Sequence, residues 1–556
     1  MRYGHCLRKL LAASALFALG CAQAPTNTTA QEIRNFKRPA GEGREQWYRD
    51  GRRAVEEAKR LRAQTGRAKN VILFVGDGMG VATVTAARIL EGQRRGQSGE
   101  ENFLSFERLP YLALSKTYSA NQQTPDSAPT MTAIVTGVKT DDFLVSVDED
   151  AVRGDHTTVK GNELPTFLEL AERSGRSTGV VTTATVTHAT PAACYAHVPD
   201  RGWESDANMN EAARRAGFPD IARQLVEFPH GDGLEVALGG GRAHFFPRAV
   251  ADPEEDGQTG DRLDGRNLVE EWSRKRPRSA YVWNKQQFDA TDARTTERLL
   301  GLFERSQMNF EHDRPRDKAG EPSLAEMTSK AVDILSKNPR GFFLMVEGGR
   351  IDHAHHDGNA YRALTDTIAL SDAVRTALSK TDPRETLIVV TADHSHVLTM
   401  AGYPARGNDI LGKVVGLDAR GQPADRYAKD ALGLPYTTLG YANGHGYTGA
   451  SKHQPEGPKR TPHNASGYQG ITKGRPDLTG VDTSDPNYLQ ETTIPMGYET
   501  HGGEDVAIYA SGPGAHLFHG VQEQNVIFHV MLEASGLALT DAAARSPARP
   551  RRRARR

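Results

Sequence analysis

Five short apolar runs, widely spaced along the chain, constrain its fold more than any other feature. They are Val71-Ile-Leu-Phe-Val75, Thr178-Gly-Val-Val-Thr182, Phe342-Phe-Leu-Met-Val346, Leu387-Ile-Val-Val-Thr391 and Val506-Ala-Ile-Tyr-Ala510. Each has strand length and β-branched content. Their near-continuous hydrophobicity fits strands covered on both faces rather than half-exposed ones. Helical patterns lie between them, at Val81 to Glu91, Leu164 to Ser174, Ser323 to Ser336, Asn359 to Lys380 and Val521 to Ala534. Strands alternating with helices predict an α/β fold, with a mostly parallel central sheet covered by helices on both faces.

The chemistry follows four of these runs. Val75 leads into Gly76-Asp77-Gly78-Met79-Gly80, and Thr182 leads to His188-Ala189-Thr190-Pro191. Val346 leads into Glu347-Gly-Gly-Arg-Ile-Asp352-His353-Ala-His355-His356, and Thr391 into Ala392-Asp393-His394-Ser395-His396. Ligands of open α/β sheets bind outside the carboxyl ends of the strands. Metal-ligating side chains from distant segments are therefore expected along one edge.

Asp352 and His356 are four apart and share a face of a helical turn. Carboxylate plus imidazole suits zinc. Alone, such a pair is more often a surface charge pair, and Asp393-His394 is equally well a buried hydrogen-bonded pair. Their crowding at strand ends shifts the balance towards metal. His353 and His355 are spare imidazoles, one of them available to orient phosphate or water. Asp77 lies in a turn whose glycines permit close approach by a ligand. The turn fails both the dinucleotide and the P-loop patterns, so the carboxylate reads as a metal bridge. In Asp126-Ser127-Ala128-Pro129-Thr130 the proline suits a first helical turn. Ser127 then sits at a helix N-terminus, which favours anions. Its hydroxyl becomes nucleophilic only beside a base or metal. Ser127 does not lie in a Gly-x-Ser-x-Gly elbow, which argues against a Ser-His-Asp esterase built on it.

The ends read differently from the body. Arg2, Arg8 and Lys9 followed by Leu10 to Leu19 form an export signal, too short to span a bilayer. Ala18-Leu19-Gly20-Cys21 is close to a bacterial lipobox, with Cys21 as the lipid acceptor. Cleavage after Ala24 is the alternative, disfavoured by Pro25. Arg49 to Gln64 reads as an amphipathic helix. Lys plus Arg number 69 and Asp plus Glu 70, a balance of −1. Seven arginines and no acid lie between Arg545 and Arg556, and without them 62 bases face 70 acids, a balance of −8. That tail reads as solvated, and no nucleic-acid module is present. Three cysteines exclude a disulfide-dense scaffold. The expected organisation is a signal peptide at 1–20, a tether at 21–45, a catalytic domain at 46–540 and a disordered basic tail at 541–556.

Taken together, these residues resemble the alkaline phosphatase family. The resemblance runs from Lys69 to Glu533. It rests on six ordered motifs, Val75 to Gly80, Pro125 to Ala128, Thr187 to Ala192, Val346 to His353, Thr391 to His396 and Glu499 to Asp505. It implies a phosphate monoester hydrolase acting through a phosphoserine on Ser127 and releasing inorganic phosphate at alkaline pH. One zinc would be held by Asp352, His356 and His501, and a second by Asp77, Asp393 and His394. Magnesium would be held by Asp77, Thr190 and Glu347, and Arg201 would clamp phosphate. His188 and His353 match the animal tissue-type branch; the enteric bacterial type has an Asp and a Lys there. That branch implies a calcium site at Glu254, the Phe303 carbonyl, Glu304 and Glu321, where Glu321 replaces the usual Asp. The segment 402–498 corresponds to the family's crown insert, and the family implies a homodimer. Two readings compete. A sulfatase or phosphodiesterase shares the metal scaffold, but Ser127-Ala-Pro129-Thr-Met131 lacks the sulfatase arginine. A silent binding lipoprotein would have lost a ligand or the nucleophile, and none is lost.

Overall fold

The computed structural model describes residues 33–275 and 278–539. The segment read as a signal, Cys21 and the basic tail at 541–556 lie outside the described residues. All five apolar runs are strands of one ten-stranded sheet. In chain order its strands are β1 (Asn70–Gly76), β2 (Tyr111–Lys116), β3 (Ser177–Thr185), β4 (Val236–Gly240), β5 (Ser279–Val282), β6 (Arg298–Leu302), β7 (Phe342–Gly348), β8 (Thr386–Ala392), β9 (Val506–Ser511) and β10 (Val521–Glu523). Their spatial order is β10-β2-β9-β8-β1-β7-β3-β4-β6-β5. The central pairs β8–β1, β1–β7 and β7–β3 are parallel. β9 runs against both its neighbours.

Helix α1 (Arg44–Arg60) lies outside the core; the helices bearing on the core are α2 (Val81–Arg94), α3 (Ser127–Thr136), α4 (Phe167–Arg173), α5 (Leu324–Leu335), α6 (Arg350–His356), α7 (Ala360–Lys380) and α8 (Val526–Ser535). Along β1, Val71, Leu73 and Val75 join the core beneath α3, α4 and α8. Ile72 and Phe74 join the opposite core, beneath α2, α5 and α7. A strand buried on both sides favours apolar residues on both faces, which is why the run is continuous. The parallel pairing brings the ends of β1, β3, β7 and β8 to one edge, and the metal-ligating segments follow there.

The five further strands differ from the ones the sequence exposes. β4 (Val-Ala-Leu-Gly-Gly) and β6 (Arg-Leu-Leu-Gly-Leu) are short and broken by glycine. Gly240 is required because a Cβ there would lie 2.0 Å from the Ser306 carbonyl oxygen. β2 alternates between exposed and buried residues. The expected helix from Val521 divides into β10 and α8. α1 begins and ends earlier than its sequence pattern, and no residue of it is buried. Within 402–498, Leu439–Gly444 pairs with Leu398–Met400 and Thr492–Pro495, and Lys459–Arg460 pairs with Tyr488–Leu489. Apolar side chains are sparse there, and buried ammonium groups tie loops together. Lys459 Nζ donates to the carbonyls of Pro455 (2.7 Å) and Gly457 (2.9 Å). Lys413 Nζ donates to that of Val481 at 2.6 Å.

Candidate active site

Ser127 is the first residue of α3, and Asp126 is the N-cap whose carboxylate accepts from the Ala128 N–H. The Ser127 hydroxyl is buried, 3.4 Å from Asp77 Oδ1 and 3.2 Å from His394 Nε2. Arg201, brought in from the loop after β3, donates from Nη1 to Asp126 and from Nη2 to His188 Nε2 (2.7 Å). The Arg201 guanidinium is thus anchored on the N-cap residue next to Ser127, and a helix N-terminus beside a guanidinium suits an oxyanion.

Two donor clusters flank the hydroxyl. In the first, His356 Nδ1 donates to the Glu499 carbonyl (2.5 Å) and His501 Nδ1 to the Pro125 carbonyl (2.7 Å). Each ring therefore carries its proton on Nδ1 and presents a lone pair at Nε2. The two Nε2 atoms stand 3.2 Å apart, each 3.3 Å from Asp352 Oδ1. Facing lone pairs beside a carboxylate repel unless a cation lies between them, so this donor set fits zinc. In the second, His394 Nδ1 faces the Ser395 carbonyl at 3.3 Å. Its Nε2 lies 3.4 Å from both Asp77 Oδ1 and Asp393 Oδ2. Burial, then the neighbouring Asp393, Asp352 and Glu347, push the Asp77 carboxyl well above its ordinary range. Crowded buried carboxylates of this kind are what a bound cation relieves.

A third set shares Asp77. Ligand atoms of Asp77, His188 and Glu347 lie within 4.8 Å of one another. Asp77 Oδ2, His188 Nδ1, Thr190 Oγ1 and Glu347 Oε1 are all buried without a hydrogen-bond partner. Such orphaned polar atoms are costly, and the three oxygens fit a hard cation such as magnesium. Burial raises Glu347 to about 7. Burial and the Arg201 charge lower His188 to about 4.

The sequence reading gave no role to His396. His396 lies in the first cluster, donating from Nε2 to Asp352 (2.8 Å) and from Nδ1 to Glu499 (2.5 Å). Burial disfavours its charge, but Glu499 and Asp352 outweigh burial and raise it to about 10. With both nitrogens on carboxylates it orients Asp352 rather than binding a cation. The tertiary pairing of Ser395–His396 with His501–Gly502 brings it there. Gly78 leaves room for the ring: a Cβ at that position, where φ is +67°, would lie 2.3 Å from it. His355 is a core residue, held by Thr83 and Tyr441.

The residues read as a calcium set lie elsewhere. Glu254 and Glu304 come together with Asp317, which the sequence reading did not single out. The Phe303 carbonyl accepts from Arg242 at 2.9 Å. Glu321 Oε1 accepts from the Asn309 N–H, while its Oε2 is buried and unpartnered. Burial, then Glu254, Glu321 and Asp317, raise Glu304 to about 9.

Fold and site together define a hydrolase with clustered candidate metal ligands around a buried serine at a helix N-terminus. The chain belongs to the alkaline phosphatase family, whose model matches residues 68–537. It is an enzyme of phosphate monoester hydrolysis. It is 44% identical over 514 residues to the tissue-nonspecific alkaline phosphatase of Gallus gallus, covering 91% of this chain and 92% of that one. The Homo sapiens tissue-nonspecific isozyme is 42% identical over 496 residues, 88% of each chain. Among solved structures, the Thermus thermophilus alkaline phosphatase superposes with a TM-score of 0.58 at 25% identity, over 87% of this chain and 94% of that one. The enzyme of the Antarctic bacterium TAB5 gives 0.55 at 21% identity, over 86% and 100%.

Proposed function

We propose that Ser127 Oγ attacks the phosphorus of a monoester. The Oγ–P bond forms as the P–O bond to the alcohol breaks, and the alcohol leaves with a proton. Water then cleaves the phosphoserine to inorganic phosphate. Two N–H groups of Arg201 hold non-bridging phosphate oxygens, exchanging Asp126 and His188 for substrate. Asp352, His356 and His501 would hold one zinc, and Asp77, Asp393 and His394 the other. Asp77, Thr190 and Glu347 would hold magnesium, with His188 Nδ1 beside them. Zinc held there would lower the pKa of the Ser127 hydroxyl and neutralise charge on the attacking and leaving oxygens. The observation that carries this reading is the Ser127 hydroxyl lying 3.2 Å from His394 Nε2, at a helix N-terminus. A TAB5 variant structure described as having Mg in its M3 site supports a third cation in this fold.

The test is hydrolysis of p-nitrophenyl phosphate against bis-p-nitrophenyl phosphate at alkaline pH, with and without chelator, for wild type and Ser127→Ala. Loss of monoester turnover in both the variant and the chelated enzyme is expected; an unchanged Ser127→Ala rate overturns the assignment.

The cluster of Glu254, Glu304 and Asp317 is proposed to bind calcium, with Glu321 adjoining. The homodimer reading is supported by α1, whose Trp47, Tyr48 and Val55 are exposed, and by the family. Export with a lipid anchor at Cys21 rests on the sequence, and membrane release of Cys21→Ser tests it. Among the described residues no helix is long and apolar enough to cross a membrane.

A further inference from the structure

Arg350 opens α6, two residues before Asp352, yet its side chain turns away from the zinc-ligand positions. Its Nη1 lies 3.0 Å from His353 Nδ1. A guanidinium has donors and no acceptor. Nδ1 of His353 must therefore offer a lone pair, and the ring proton resides on Nε2. The His353 ring stands edge-on to His188, centroids 5.5 Å apart, and His188 in turn accepts from Arg201. We propose that Arg350 is a positioning residue. It fixes the His353 ring so that its Nε2–H is presented as a hydrogen-bond donor beside Arg201, to a phosphoryl oxygen of the substrate or of product phosphate.

Arg350 is itself fixed from outside the site. Its guanidinium lies 3.7 Å from the Phe310 ring, at stacking distance. The backbone N–H of Arg350 donates to Thr183 Oγ1 at 3.1 Å, tying α6 to β3. Phe310 is held by its neighbours: Asn309 N–H donates to Glu321 (2.9 Å) and Glu311 N–H to Asp366 (3.2 Å). The acidic groups Asp366, Asp357, Glu321 and Asp313 favour the Arg350 charge, which burial opposes. Arg350 is half-buried and meets no carboxylate directly among the described residues, so its contacts are the Phe310 ring and His353 Nδ1.

The inference rests on the phosphate-binding role given to Arg201 above, and a double-mutant cycle tests it. Phosphate inhibition (Ki), KM and kcat are measured for wild type, Arg350→Met, Arg350→Lys, His353→Ala and the Arg350→Met/His353→Ala pair, with zinc content determined on each. Arg350→Met is expected to raise Ki and KM about tenfold, the loss of one well-placed donor, with kcat changed less. Lys, which also donates, should restore most of the affinity. In the His353→Ala background, Arg350→Met should change Ki less than about twofold, because coupled residues are not additive. A full Arg350→Met effect in that background overturns the proposal. So does Lys as poor as Met, or a Ki loss tracking zinc loss. Failure of the site reading looks different: Arg201→Ala would then leave phosphate inhibition of wild type unchanged.

Discussion

Glu235, at the far edge of the sheet from the site, is predicted to work against stability under alkaline conditions. It precedes β4 and is nearly buried, its side chain 12% exposed. Burial, then the neighbouring Glu172, raise it to about 8 from 4.5. Glu172 is itself raised to about 7, chiefly by burial. Both carboxylates lean on Thr178, whose N–H donates to Glu235 (2.7 Å) and whose hydroxyl donates to Glu172 (2.5 Å). Arg298 is 3.8 Å from Glu235 and 2.5 Å from Asp232, so it serves Asp232 first. The folded-state pKa of Glu235 is raised, so its stabilising contribution is complete below about 4.5 and is lost as pH climbs through about 8. At about 1.4 kcal/mol per pH unit, ionising it in the fold costs at most about 5 kcal/mol. Part of that is shared with Glu172, and relaxation reduces it further, so about 2–3 kcal/mol is expected.

Glu235→Gln keeps a carbonyl oxygen for the Thr178 N–H and removes the charge. Relative to wild type it should be near neutral at pH 4.5 and more stable by about 2–3 kcal/mol at pH 9. With unfolding entropy of about 2 cal/mol/K per residue, that is a rise of roughly 2–3 °C in Tm for a chain of this length. Scanning calorimetry of wild type and variant at a series of pH values, with identical zinc and magnesium, reads the difference while metal contributions cancel. The reasoning fails if the variant gains equally at pH 4.5 and 9, or loses stability at both.

Other outcomes follow from the site. Gly78→Ala should cut activity more than tenfold, because the added methyl displaces His396 and with it Asp352; wild-type kcat/KM would refute this. Asp352→Ala should release one zinc per chain on dialysis and lower Tm, since His356 and His501 alone make a poor site; zinc analysis with calorimetry decides. Asp317→Asn should weaken calcium binding about tenfold by titration calorimetry, leaving zinc content unchanged; equal calcium affinity removes Asp317 from the cluster. Chelation should abolish monoester hydrolysis, and zinc plus magnesium should restore it, as followed with p-nitrophenyl phosphate.

Much of this molecule was legible in its sequence, for physical reasons. A strand buried on both faces is apolar along most of its length, so the apolar centres of β1, β3, β7, β8 and β9 announced themselves. Carboxylates and imidazoles are common cation ligands, so Asp77, Glu347, Asp352, His356, Asp393 and His394 stood out at strand ends as candidates. Strands at the sheet's flanks escaped notice because burial there is partial or because glycine, needed for close approach, breaks the pattern. The tertiary structure decided the rest, since a linear chain does not say which nitrogen of a ring is taken. It placed His396 between Asp352 and Glu499, left the Nε2 lone pairs of His356 and His501 facing each other, and drew Asp317 beside Glu254 and Glu304. Residue type follows from chemistry carried locally, whereas proton position and cation fit depend on partners hundreds of residues away.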